Sequence, residues 1–168
     1  PLRRPLIVMT PKSLLRHKDA VSTLEDLSEG RFEVVIPDQS AAQNADITKV
    51  VFCSGKVYYD LAAKREADGL GTVAILRIEQ LYPFPDEDLK RHLSRYKNLA
   101  SAVWCQEEPM NQGAWYSSQH HVRRGLEGYP GIYLHYAGRE ASASPAAGYM
   151  SLHVRQQEAL VHQALYVK

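Results

Sequence analysis

The sequence predicts one α/β domain of three layers, a mainly parallel sheet with helices on both faces. Short apolar runs alternate along the whole chain with segments of helical composition, the pattern of successive βαβ units. The runs Val50–Cys53 and Val73–Ile78 are continuous in apolar character, as expected of strands covered on both faces. A length of 168 residues with 45% hydrophobic side chains suffices for a single core.

The elements follow in order. Leu6-Ile7-Val8-Met9, closed by Thr10-Pro11, reads as a first strand. Ser22-Thr23-Leu24-Glu25 has the hydroxyl and carboxylate spacing of a capping box, and the helix it opens must be short because Gly30 suits a helix end. Phe32–Ile36 reads as a strand stopped by Pro37-Asp38, and the polar, alanine-rich residues 38–48 as the most mobile loop. After the strand Val50–Cys53, Ser54-Gly55-Lys56 turns the chain into a helix from Val57 to about Asp68. The next strand is Val73–Ile78. Leu81-Tyr82-Pro83-Phe84-Pro85 forbids regular structure, since each proline removes a donor and restrains the residue before it.

Asp86-Glu87-Asp88 opens a helix that Arg95-Tyr96-Lys97 closes, charges matched to the helix dipole, with Leu89, Leu93 and Tyr96 on its buried face. A strand through Trp104, a helix from about Ala114 to Gly125 and a strand at Ile132–Tyr136 come next. A small-residue loop from Ala141 to Gly148 leads to a last helix, Ser151 to about Leu165, whose inward stripe is predicted as Val154, Val161 and Leu165.

Composition excludes several classes. Net charge is +1 with both signs well mixed, which gives no nucleic-acid signature. No apolar run is long enough to span a bilayer, and no secretory signal pattern is present. Cys53 and Cys105 each sit in an apolar run and read as two buried thiols in preference to a disulfide. A strand so close to Pro1 predicts that residues 1–168 are one domain of a longer, multidomain subunit.

The candidate sites cluster after strand ends. Trp104, Gln106, Glu107, Glu108, Asn111, Gln112 and Trp115 form a run that delivers carboxylates and amides to the carboxyl end of a strand, where open α/β sheets place ligands and contacts. Adjacent residues of a strand face opposite ways, so Glu107 and Glu108 do not form a catalytic pair; contact or capping roles fit them better. Ser54 and Lys56 lie in a strand-to-helix turn whose N–H groups could hold an anion, but without the glycine spacing of a phosphate loop a plain turn with a solvent-facing lysine is the favoured reading. Lys12 and Arg16 belong to a basic cluster that could meet an anionic effector or another domain, with solvated charges near a strand end the slightly favoured reading. The pair His120-His121 lacks a metal-ligand spacing and reads as structural or interfacial. Ser142 and Ser144 lie in a loop without the Gly-x-Ser-x-Gly of a nucleophile elbow. No complete catalytic constellation emerges from the residues.

Several blocks resemble one family. Thr10-Pro11-Lys12-Ser13-Leu14-Leu15-Arg16-His17, Ser54-Gly55-Lys56-Val57-Tyr58-Tyr59-Asp60-Leu61 and Arg77-Ile78-Glu79-Gln80-Leu81-Tyr82-Pro83-Phe84-Pro85 resemble the carboxyl-terminal domain of the thiamine-diphosphate-dependent 2-oxoglutarate dehydrogenases. So do Trp104-Cys105-Gln106-Glu107-Glu108-Pro109-Met110-Asn111-Gln112-Gly113-Ala114-Trp115, the most distinctive block, and Tyr136-Ala137-Gly138-Arg139 with Ala143-Ser144-Pro145-Ala146.

The resemblance implies a transketolase-like, Rossmann-like third domain in a subunit that decarboxylates 2-oxoglutarate and passes succinyl to lipoamide. Thiamine diphosphate and Mg2+ would be held by the two preceding domains; this domain would contribute no catalytic, cofactor or metal residue. Its implied partners are its own amino-terminal and central domains, a homodimer partner and the dihydrolipoyl succinyltransferase component, with no nucleic acid or membrane. The implied compartment is bacterial cytoplasm or mitochondrial matrix. The run from Trp104 to Trp115 is then expected at an interface. Two other readings stay open: an independent nucleotide- or CoA-type anion-binding module, and a subunit acting on 2-oxoadipate.

Overall fold

A computed structural model describes residues 3–10, 12–39 and 44–166. The chain divides into two compact units, Pro1–Phe32 and Glu33–Lys168. The first holds a 3-10 turn, Lys12–Leu14, and helix α1 (Leu24–Ser28). The capping box of α1 is built one residue later than the sequence predicts. Thr23 Oγ1 accepts from the Asp26 N–H at 3.1 Å, and Asp26 Oδ2 accepts from the Thr23 N–H at 3.0 Å. Those bonds hold the Asp26 carboxyl below its usual value.

The first predicted strand is not one. Leu6, Ile7, Val8 and Met9 make no ladder with any described strand and lie exposed, Met9 at 92%. Four apolar residues give the composition of a strand, but a strand exists only beside another that accepts and donates its backbone bonds.

The second unit is built on a five-stranded sheet of β1 (Val35–Ile36), β2 (Lys49–Cys53), β3 (Val73–Ile78), β4 (Ser101–Pro109) and β5 (Leu134–Arg139), in the order β1-β3-β2-β4-β5. Strands β2 to β5 run parallel; β1 is a two-residue antiparallel edge, Val35 opposite Ile78. The helices are α2 (Val57–Ala67), α3 (Asp86–Leu93), α4 (Trp115–Gly125) and α5 (Met150–Tyr166). Because successive side chains alternate across a strand, each central strand feeds two cores. Val51, Cys53, Ile75, Val103 and Cys105 pack with Leu61 of α2 and Leu160 and Ala164 of α5. Val50, Phe52, Ala74, Leu76 and Trp104 pack with Leu89 and Leu93 of α3 and Trp115 and Val122 of α4. Full burial of each valine, leucine, isoleucine or phenylalanine among them stabilises by about 1.5–3 kcal/mol.

The boundaries depart from prediction in informative places. The strand expected from Phe32 shrinks to two residues, and Phe32 itself is exposed. Of the expected mobile loop, residues 40–43 lie outside the described residues; Asn44–Asp46 form a 3-10 turn and Ile47 is buried in the core. Helix α3 stops at Leu93, yet Tyr96 remains buried, and burial pushes its phenol up to about 12. Val154 is not part of the inward stripe of α5: it is 45% exposed, and the buried positions Leu160, Val161, Ala164 and Leu165 all fall in the carboxyl half of the helix.

Asp38, just after β1, accepts from the Ile75 N–H at 2.8 Å and pairs with Arg65 of α2, which also donates to the Val73 carbonyl at 3.3 Å. This buried pair satisfies backbone groups of β3 beyond the reach of the short edge strand. Cys53 and Cys105 are free and buried side by side in register on β2 and β4, and burial pushes both thiols far up. Among the described residues no helix is long and apolar enough to cross a membrane.

Candidate functional site

The strand order places a crevice at the carboxyl edge. The chain leaves β2 for β3 on one side and then returns across the sheet to β4 on the other, so β2 and β4 flank the topological switch point, where open α/β sheets bind ligands. Strand β2 ends at Cys53, and Ser54-Gly55-Lys56 carries the chain into α2, with Gly55 at φ +75°. Strand β4 continues past Cys105 and delivers Gln106, Glu107 and Glu108 to the same edge.

Gln106 is the centre of the β4–α4 connection. Its Oε1 accepts from the Trp104 indole N–H at 3.1 Å and from the Trp115 backbone N–H at 2.9 Å. Its Nε2 donates to the carbonyls of Glu108 (3.3 Å), Pro109 (3.1 Å) and Gln112 (2.8 Å). The sharp turn this requires is made at Gly113, where φ is +63°. Gln106 and Trp104 are therefore consumed inside the domain. Trp115 is also buried, 5.1 Å from the Tyr136 ring, with the Arg123 guanidinium 5.7 Å from its own ring. Burial pushes the Tyr136 phenol up to about 12, and its hydroxyl donates to the Arg139 carbonyl at 3.1 Å.

Glu107 and Glu108 point to opposite faces, as the alternation of a strand requires. Glu107 pairs with Lys56 and accepts from Gln157 Nε2 of α5 at 2.8 Å. The same Gln157 amide donates to Asp60 of α2 at 2.8 Å, while its Oε1 accepts from Arg139 Nη2 at 3.2 Å. Arg139 Nη2 also meets His153 Nδ1 at 3.0 Å. A single polar network thus ties α2, β4, β5 and α5 at the carboxyl edge. Glu108 is exposed on the other face and borders a small cavity of about 230 Å³ with Ser54, Leu81, Gly113 and Ser117. Asn111 and Gln112 reach across to the β5–α5 loop. Asn111 donates to and accepts from the Ser142 backbone at 3.0 Å, and Gln112 donates to the Ser142 carbonyl at 3.0 Å.

The structure brings several of the sequence candidates together. Ser54, Gln106 and Glu108 line one small cavity, while Lys56 and Glu107 pair on the opposite face. Lys12 and Arg16 belong to the first unit, where both are exposed. His121 stacks on Phe84 with centroids 4.5 Å apart, and its Nδ1 lies 2.9 Å from Asp86, which fastens α4 to α3. Asp60, Arg139, His153 and Gln157 escaped the sequence reading, because nothing in their spacing connects residues from α2, β5 and α5. Chemically, Glu107 is neutralised by Lys56 and is not a free base. Among the described residues no group of three or more His, Cys, Asp or Glu is placed to hold a metal ion.

Comparison with known proteins supplies the family. A model described as 2-oxoglutarate dehydrogenase C-terminal matches residues 21–165. The 2-oxoglutarate dehydrogenase E1 component of Azotobacter vinelandii is 57% identical over 168 residues, 99% of this chain and 18% of that protein. That of Haemophilus influenzae is 55% identical over 164 residues, 98% of this chain and 17% of that protein. The chain thus spans under a fifth of the length of these relatives. A solved split-gene transketolase, an inactive beta4 tetramer, aligns with a TM-score of 0.51 at 17% identity, covering 82% of this chain and 44% of its own; it shares the fold. With the family model covering most of its length, the chain belongs to the 2-oxoglutarate dehydrogenase C-terminal family.

Proposed function

We propose that the chain is the carboxyl-terminal domain of a subunit that decarboxylates 2-oxoglutarate and transfers the succinyl group to lipoamide. In this reading thiamine diphosphate and Mg2+ are held by other domains of the same polypeptide, and this domain supports them and the dimer without reacting itself. The observation that carries it is the 57% identity across 99% of the chain to a relative bearing that name. The state of Glu107 supports the non-catalytic part, since its carboxylate is tied to Lys56 and Gln157.

The contact surface lies at the carboxyl edge. Trp104, Gln106 and Trp115 brace it from beneath, and Glu108, Asn111, Tyr82 (91% exposed) and Tyr116 present themselves to a partner subunit or domain. In the first unit, Leu6–Met9 with Leu24, Leu27 and Phe32 expose apolar side chains suited to the rest of the subunit. Gln112 reinforces the edge through the Ser142 carbonyl. The succinyltransferase component is the further partner this reading assigns.

The test assays the isolated chain and the longer subunit containing it with thiamine diphosphate, Mg2+, 2-oxoglutarate and ferricyanide. Turnover is expected of the subunit and not of the chain. Turnover by the chain alone overturns the supporting role, and an inactive subunit overturns the assigned reaction.

A further inference from the structure

We propose that Arg139 anchors a phosphate-binding site in the cavity between the β5–α5 loop and α5. The cavity holds about 590 Å³ and is lined by Arg139, Ser142, Ser144, Gly148, Leu152 and Gln156, among others. It lies outside the β2–β4 crevice, and the site stands on this geometry, independent of any 2-oxo acid chemistry.

A guanidinium carries its charge at every accessible pH. Arg139 is half-buried, its Nε is inaccessible and without an acceptor, and its Nη2 meets only His153 Nδ1 and the Gln157 amide oxygen. For Nδ1 to accept, the imidazole must be neutral with its proton on Nε2. Both acceptors are therefore uncharged, and among the described residues no carboxylate lies within ion-pair distance of Arg139. The carboxylates of the network, Glu107 and Asp60, bond to the far end of the Gln157 amide and not to Arg139, and Glu107 is paired with Lys56. A partly buried cation left so is costly until an anion completes it.

The wall opposite is built to stay in place. Ser142 is gripped on its backbone by Asn111 and Gln112, which gives those two amides a purpose beyond the turn they sit in. Ser142 Oγ accepts from the Ser144 N–H at 3.1 Å, which leaves its own proton free to donate. A donor fixed before the ligand arrives loses little freedom on binding. Arg139 and Ser142 both line the cavity; a guanidinium and a hydroxyl suit a tetrahedral dianion, and the volume admits a phosphate with a small organic group attached. Glu140, exposed at the rim, is the one lining carboxylate that opposes an anion.

The experiment titrates the 168-residue chain with sodium phosphate at constant ionic strength, following amide resonances by NMR. Saturable shifts are expected at Ser142, Gly148 and Leu152. Arg139→Gln should weaken binding about tenfold, from loss of a charge-assisted bond. Glu140→Gln, which removes an exposed charge, should tighten it about twofold, and this arm stands even if the arginine variant fails to fold. Glycerol 3-phosphate serves as a second probe: tighter binding than phosphate identifies a monoester as the ligand, and equal binding identifies free phosphate. Absence of saturable shifts, shifts centred elsewhere, or an affinity unmoved by Glu140→Gln would overturn the proposal.

Discussion

The side-chain amide of Gln106 stands so close to Gly113 that a Cβ there would lie 3.1 Å from both its Nε2 and its Oε1. Glu108 Oε2 would be 3.0 Å away, and the backbone at Gly113 has φ +63°. Gln106 cannot retreat, because five hydrogen bonds hold it. Gly113→Ala is therefore expected to cost about 1–3 kcal/mol, from left-handed strain and crowding together. Gly128→Ala, at a position with open space and no positive φ, should stay within about 0.5 kcal/mol. Urea unfolding of the two variants checks this, and equal losses would refute the assigned role of Gly113.

Gln106 itself gives a sharper test, because its two ends do different work. A glutamate at this position keeps an acceptor for the Trp104 and Trp115 N–H groups but turns an oxygen towards three carbonyls. Gln106→Glu should cost about 3–5 kcal/mol at pH 7, the range for an uncompensated buried charge. Burial and those carbonyls raise the folded-state pKa of the new carboxyl above its unfolded value. The folded protein then binds more protons in that interval, so the variant is most stable below the unfolded pKa and loses stability as pH rises. Denaturant midpoints at pH 5 and pH 7 measure this, and a variant equally stable at both contradicts it.

The same strand shows how far the sequence could be read. The opposite orientations of Glu107 and Glu108 follow from the two-residue period of a strand, and the structure has them so. The hub role of Gln106 does not follow, because its five partners come together only after the chain has turned at Gly113. Nor could the sequence find Arg139, His153 and Gln157 as neighbours; they lie 14 and 18 residues apart on β5 and α5, and only the docking of α5 joins them. Leu6–Met9 misled for a complementary reason: composition reports what a segment can bury, not whether a neighbour is there. Val154 fell from the α5 stripe because helical periodicity fixes a face but not how much of its length lies on the sheet.

The pair Asp38 and Arg65 carries a third prediction. Their side chains are 1% and 9% exposed, and Asp38 also satisfies the Ile75 N–H. Arg65→Met leaves a buried carboxylate without its cation and should cost about 3–5 kcal/mol. Adding Asp38→Asn restores neutrality while keeping an oxygen for Ile75. The double variant is thus expected to be more stable than Arg65→Met alone, which thermal unfolding will read directly. Additive losses would mean the two residues act independently.

His92 of α3 gives the pH dependence. It is 7% exposed, and its buried Nδ1 finds no partner among the described residues. Burial, and then the charges of Arg95 and Arg91, push its pKa below the usual 6.5, against weaker opposing effects of Asp88 and Glu33. Below pH 6.5 the unfolded chain therefore takes up a proton that the folded protein refuses. Unfolded protein binding more protons means that stability rises with pH, so this contribution is present in full above 6.5 and shrinks as pH falls towards the depressed folded value. His92→Leu removes both the titration and the orphaned nitrogen while keeping an apolar body for the α3 face. Between pH 7.5 and pH 5.5 the parent should lose more stability than the variant, measured as the change in urea midpoint; parallel losses in the two proteins would show that His92 stays uncoupled from folding.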